Sequence, residues 1–127
     1  MPTLARLLAG PHEVAGVVTQ PDRGRGRGRK ASPSPVAECA ATANVPILRP
    51  ERVGDAECVE ALRELDADLG VVVAFGQFLP KKVRELPRLG YLVNGHASIL
   101  PRHRGAAPIA HAILAGESKT GVSVMRV

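Results

Sequence analysis

Asn94 and His96 stand one residue apart at the end of an apolar run, in the segment Asn94-Gly95-His96-Ala97-Ser98-Ile99-Leu100-Pro101-Arg102-His103-Arg104-Gly105. Alternate residues of an extended chain point the same way, so this spacing predicts an amide and an imidazole facing one pocket. The pair suits attack on a carbonyl carbon: the amide donates to the oxyanion that develops, and the imidazole moves a proton. The Ser-Ile-Leu-Pro stretch that follows offers backbone polar groups and a small apolar wall to a ligand. Taken alone, the pair is also what a hydrogen-bonded structural histidine at a strand end would give.

A second feature is electrostatic. Residues 21–30, PDRGRGRGRK, carry five positive charges and one negative, within a chain of 127 residues whose net charge is +5. The remainder is therefore nearly neutral. Charge gathered into a Gly-rich segment cannot be spread by helix geometry, and it attracts polyanions unless the loop is merely solvated. Aromatic residues are only 2% of the chain, which argues against a nucleic-acid surface built on stacked rings. No apolar run approaches the about 18 residues of a membrane span. The opening stretch MPTLARLLAGPHEV has too short an apolar segment for a secretory signal. Cys39 and Cys58 are far from any C-x-x-C spacing and fit a reducing, cytoplasmic setting. His12, His103 and His111 show no metal-ligand spacing, so no metal is expected.

The elements that must position these groups follow from the apolar pattern. Residues 2–9 read as a short helix and Val14–Val18 as a buried strand leading into the basic loop. Ser34 before Pro35 predicts the cap of a helix to about Ala43, stopped by Asn44 and Pro46. A short strand is expected at Ile47-Leu48. Asp55 begins a helix to about Leu65, with Val59, Leu62 and Leu65 on one face. Leu69 to Ala74 reads as a parallel strand covered on both faces. A helix over Pro80–Leu86, a strand over Tyr91–Val93, a helix over Pro108–Leu114 and a strand over Gly121–Val127 complete the series. The alternation predicts one α/β, Rossmann-like domain, a mostly parallel sheet with helices on both faces. Sites in such sheets gather beyond the carboxyl ends of strands, here the loops after Val18, Ala74 and Val93.

The composite motif N-x-H-x-S-(I/L)-L-P-x-x-R-G-A-A-P-I, starting at Asn94, resembles the signature of the formyltransferases that use 10-formyltetrahydrofolate. Within them the chain is most similar to those that act on methionyl-tRNA. VVTQPDRGRGRGRKASPSPV (17–36), VVVAFGQFLPKKV (71–83) and GESKTGVSVM (116–125) match further segments of that family in order. The resemblance implies catalytic roles for Asn94 and His96, and a folate-binding turn at Ser98, Ile99, Leu100 and Pro101. It implies that Phe75, Gly76, Gln77, Phe78 and Leu79 line the pterin side of the pocket. It also implies that Arg23, Arg25, Arg27, Arg29 and Lys30 meet the acceptor arm of the initiator methionyl-tRNA. The reaction implied is formyl transfer from 10-formyltetrahydrofolate to the α-amino group of the esterified methionine, by a monomer when full length.

The chain departs from the family pattern in three ways. The family opens with a strand and a Gly-containing turn ahead of the segment that aligns with Met1-Pro2-Thr3-Leu4, it has an Asp that would fall beyond Val127, and it continues into a C-terminal β-barrel domain. Residues 1–127 are thus expected to be a partial N-terminal formyltransferase domain, without that first strand, Asp region and barrel. Gly95 replaces a usual apolar residue, and one extra residue lies between Gly90 and Asn94. Two other readings compete: a formyltransferase of the same fold acting on glycinamide ribonucleotide or a sugar-nucleotide amine, and a nonenzymatic basic RNA-binding module. The Arg/Gly loop argues against the first, since a small substrate needs no polycationic arm.

Overall fold

The structure, a computed structural model, describes residues 2–24 and 31–127. Its elements run α1 (Pro2–Leu8), β1 (Val17–Val18), β2 (Arg23–Gly24), β3 (Ala31–Ser32), α2 (Pro35–Thr42), β4 (Ile47–Leu48), α3 (Ala56–Glu64), β5 (Gly70–Val72), α4 (Lys81–Arg84), β6 (Leu92–His96), α5 (Pro108–Leu114) and β7 (Ser123–Arg126). The expected alternation is therefore present in order, with the short hairpin β2–β3 added at the two ends of the basic segment.

Helix α2 shows how the local sequence fixes an element. Ser34 is extended and its Oγ accepts from the Ala37 N–H at 3.1 Å, while Pro35 takes the first helical position, where no N–H is needed. The same hydroxyl meets Thr19 Oγ1 at 2.8 Å, which ties the helix start to the end of β1. Ala37 and Ala40 are both fully buried, and Ala40 packs in a cluster with Leu4 and Val17. Ser34→Ala should cost about 1 kcal/mol of local stability. Amide exchange in the first turn of α2 should then quicken roughly fivefold. Unchanged exchange at Ala37 would show that the cap carries no energy. At α3, by contrast, Asp55 occupies the cap position but makes no side-chain cap hydrogen bond.

The sheet follows a parallel plan with one antiparallel edge. β1 pairs with β4, and β5 pairs with β6 through Gly70↔Leu92, Val71↔Val93 and Val72↔Asn94, both in parallel. β7 then adds to β6 antiparallel, through Val93↔Arg126, Asn94↔Met125, Gly95↔Val124 and His96↔Ser123. The β5–β6 register is set at its entry. Arg88 and Leu89 donate their N–H groups to the carbonyls of Ala67 and Asp68, and the Arg88 guanidinium holds the Asp66 carboxyl below its usual range. Gly70 leaves room here for Leu92: a Cβ at that position would lie 2.3 Å from Leu92 Cδ2, so the leucine side chain would have to shift.

Among the described residues no ladder joins β1 to β5. The two halves meet instead through side chains: Gln20 Nε2 donates to the Phe75 carbonyl at 2.6 Å, and Val18 packs against the cluster of Val53, Cys58, Val59 and Val83. The expectation of a strand over 69–74 covered on both faces is corrected by the structure. β5 ends at Val72, Ala74 adopts a left-handed φ of +46°, and Val71 and Val73 are 46% and 49% exposed. With β6 its only described partner, one edge of β5 and part of its apolar surface stay open.

Candidate active site

β6 extends three residues past the expected end at Val93, because β7 continues to pair with it as far as His96↔Ser123. Asn94 and His96 therefore belong to a strand held on both sides through Asn94, and alternation aims both toward one face. Both line a cavity of about 590 Å³, together with Leu100, Pro101, Arg104, Gly105 and Met125. That size falls in the range of small-molecule sites. A Cβ at Gly95 would meet Val73 Cγ2 at 3.5 Å, an ordinary contact, so this glycine is not demanded by space.

The turn after β6 is bound tightly to its own backbone. Ser98 is fully buried, and its Oγ donates to the Arg102 carbonyl at 2.7 Å. Ser123 Oγ donates to the Ser98 carbonyl at 2.8 Å and accepts from the Leu100 N–H at 3.1 Å. Leu100 and Pro101 thus face the cavity from a fixed turn, whereas the Ser98 hydroxyl is engaged within it and Ile99 is 54% exposed beside Gly121. His96 Nε2 lies 2.9 Å from the His103 carbonyl oxygen. A carbonyl oxygen only accepts, so Nε2 carries the proton and a neutral His96 ring keeps its lone pair on Nδ1.

The structure does not gather the other expected site residues here. Phe75 and Leu79 pack against the Val53–Val59 cluster. Gln77 clamps the neighbouring loop: its Oε1 accepts from the Val53 N–H at 2.8 Å and its Nε2 donates to the Pro50 carbonyl at 3.1 Å. Gln77 and Phe78 border a second cavity of about 520 Å³, with Arg52, Asp55 and Lys82 among its other walls, and Phe78 is 85% exposed. Gly76 takes a φ of +80° between them. Arg23 begins the hairpin strand β2, while Arg25, Arg27, Arg29 and Lys30 lie outside the described residues. Sequence reasoning missed Ser123, Arg104, Met125 and Glu117. Ser123 and Met125 alternate on β7 opposite His96 and Asn94, a relation that appears only once the antiparallel pairing is known.

A formyl transferase family profile matches residues 3–127. The chain belongs to the formyl transferase family. It is 53% identical over 126 residues to a methionyl-tRNA formyltransferase of Synechococcus sp. (strain CC9902), covering 98% of this chain and 37% of that protein. It is 52% identical to the methionyl-tRNA formyltransferase of Pseudomonas fluorescens (strain SBW25), covering 98% and 39%. The chain thus spans about two fifths of the length of the curated relatives it matches. Among solved structures, a phosphoribosylglycinamide formyltransferase from Bacillus halodurans superposes with a TM-score of 0.71 at 25% identity, covering 92% of this chain and 58% of that one. A glycinamide ribonucleotide transformylase from Geobacillus kaustophilus gives 0.61 at 27% identity, covering 74% and 53%. The formyl transferase fold is thus shared with enzymes named for different substrates. No helix described is long and apolar enough to cross a membrane.

Proposed function

We propose that this chain is part of the N-terminal domain of a methionyl-tRNA formyltransferase. On this reading it moves the formyl group of 10-formyltetrahydrofolate to the α-amino group of methionine on initiator tRNA, as a monomeric enzyme of the cytoplasm. The observation that carries the chemistry is the joint placement of Asn94 and His96 on one wall of an otherwise largely apolar cavity. The choice of tRNA over a small amine is supported by the basic segment and by the higher identity to relatives named for methionyl-tRNA.

The chemistry follows from the two side chains. The neutral amine attacks the formyl carbon, and the carbonyl oxygen gains charge as the new C–N bond forms. The Asn94 amide donates to that oxygen as charge develops on it. His96 Nδ1 takes the proton that the attacking nitrogen must lose, and the bond from the formyl carbon to the donor nitrogen then breaks as that nitrogen is protonated. Leu100, Pro101 and Met125 supply apolar walls, and the folate is a consumed substrate.

The loop is tested separately. Replacing Arg23, Arg25, Arg27 and Arg29 with Ala in the complete protein should weaken tRNA binding and flatten its salt dependence. For every duplex phosphate that an arginine no longer neutralises, the slope of log K against log salt falls by about 0.9. Folate binding should not change. An unaltered slope would remove tRNA from this loop and return the small-amine reading to the front.

A further inference from the structure

We infer that Glu117 is a positioning residue for His96, acting through the backbone of His103; this rests on the role proposed for His96. The link begins at the imidazole. His96 donates from Nε2 to the His103 carbonyl at 2.9 Å, and this bond selects which ring nitrogen stays basic. The carbonyl can do so only while the His103 backbone stays where it is. His103 has a φ of +50°, the left-handed region, which a residue with a side chain keeps only where its surroundings over-determine it.

Glu117 supplies that constraint. His103 Nε2 donates to Glu117 Oε1 at 2.7 Å, with the two side chains only 16% and 10% exposed. The Arg102 guanidinium pairs with the same carboxylate oxygen, so the carboxylate holds two consecutive residues of the turn. The His103 ring also stacks on His111 of α5, with centroids 6.3 Å apart and planes 8° from parallel. Glu117 in turn is set by the end of α5, where its N–H donates to the Ala112 carbonyl at 3.0 Å after Gly116 turns the chain at a φ of +66°. The order of support is α5, Glu117, His103, His96. A carboxylate remote in sequence from the strand-end histidine thereby fixes its tautomer without touching it.

The test uses the complete protein with ¹⁵N-labelled histidine and two readouts, the Nε2–H resonance of His96 and steady-state turnover. The wild type should show His96 protonated at Nε2 and hydrogen-bonded. Glu117→Ala should lose that resonance pattern and lower kcat by up to about 10²-fold, the scale of a small misplacement of a reacting group, with KM for methionyl-tRNA unchanged. Glu117→Gln keeps an oxygen that accepts from His103 and should restore both. His103→Phe retains a ring against His111 but cannot bond to Glu117, and should move the His96 resonance as Glu117→Ala does. If Glu117→Ala fails to fold, His103→Phe decides the matter. A His96 resonance unmoved in the folded variants overturns the inference. If His96→Ala keeps full turnover, the catalytic reading of His96 fails, while the resonance still judges the positioning.

Discussion

Asn94→Ala is expected to lower formyl-transfer turnover by on the order of 10²–10³, the usual consequence of removing one oxyanion donor. Asn94 sits at the centre of the three-stranded sheet, paired in register with Val72 on one side and Met125 on the other. Those ladders are backbone bonds, so truncating the side chain leaves the strand in place. The loss should therefore fall on kcat, with folate binding and stability little changed. His96→Ala should be comparably severe, because proton transfer by a positioned side chain contributes about 10²–10⁴. His12, exposed in the turn after α1, supplies the control: His12→Ala should leave turnover intact. Equal losses at His12 and His96 would refute the assignment, as would an Asn94→Ala variant of undiminished kcat.

Much of the frame was legible because it is written in local patterns. Ser34-Pro35 marks a helix start by its own hydrogen-bonding chemistry, and the cap bond to Ala37 is present. The i, i+2 spacing of Asn94 and His96 specifies a shared face once the segment is extended, and both line one cavity. Strand partners are a different matter. Nothing in Gly121–Val127 distinguishes a parallel from an antiparallel neighbour, so the extension of β6 to His96 was not foreseeable. The apolar run Leu69–Ala74 states what a strand prefers, not whether anything covers it, and Val71 and Val73 prove largely open. Residues 75–79 look like one lining loop in sequence, yet the left-handed turns at Ala74 and Gly76 send Phe75 and Leu79 inward and Phe78 outward. The Glu117–His103 contact spans 14 residues and needs the tertiary fold to exist at all.

Residues 1–127 expressed alone should not give a cooperative thermal transition. The argument is the balance of apolar surface. The buried apolar set is small, and among the described residues the largest side chain buried completely is that of the hydroxyl-bearing Ser98. Against it stand Leu69, Val71 and Val73 around β5 at 37%, 46% and 49% exposure, Ile109, Ile113 and Leu114 on α5 at 56%, 72% and 83%, and Val122 just before β7 and Val124 on it at 70% and 73%. Helix α5 buries only Ala112. Each large side chain left in water forgoes about 1.5–3 kcal/mol relative to full burial, so even a few are comparable to the roughly 5–15 kcal/mol that stabilises a domain. The edge of β5 that has no strand partner among the described residues adds backbone groups that can pair with another chain. The purified chain should therefore bind a hydrophobic dye, melt over a broad range and self-associate as concentration rises. The same residues carried within a complete formyl transferase, where further chain can cover these faces, should melt sharply and shed the dye. A sharp, concentration-independent melt of residues 1–127 with no dye binding would show that the buried clusters around Val53 and Leu4 suffice, and that the open face of β5 costs the fold nothing decisive.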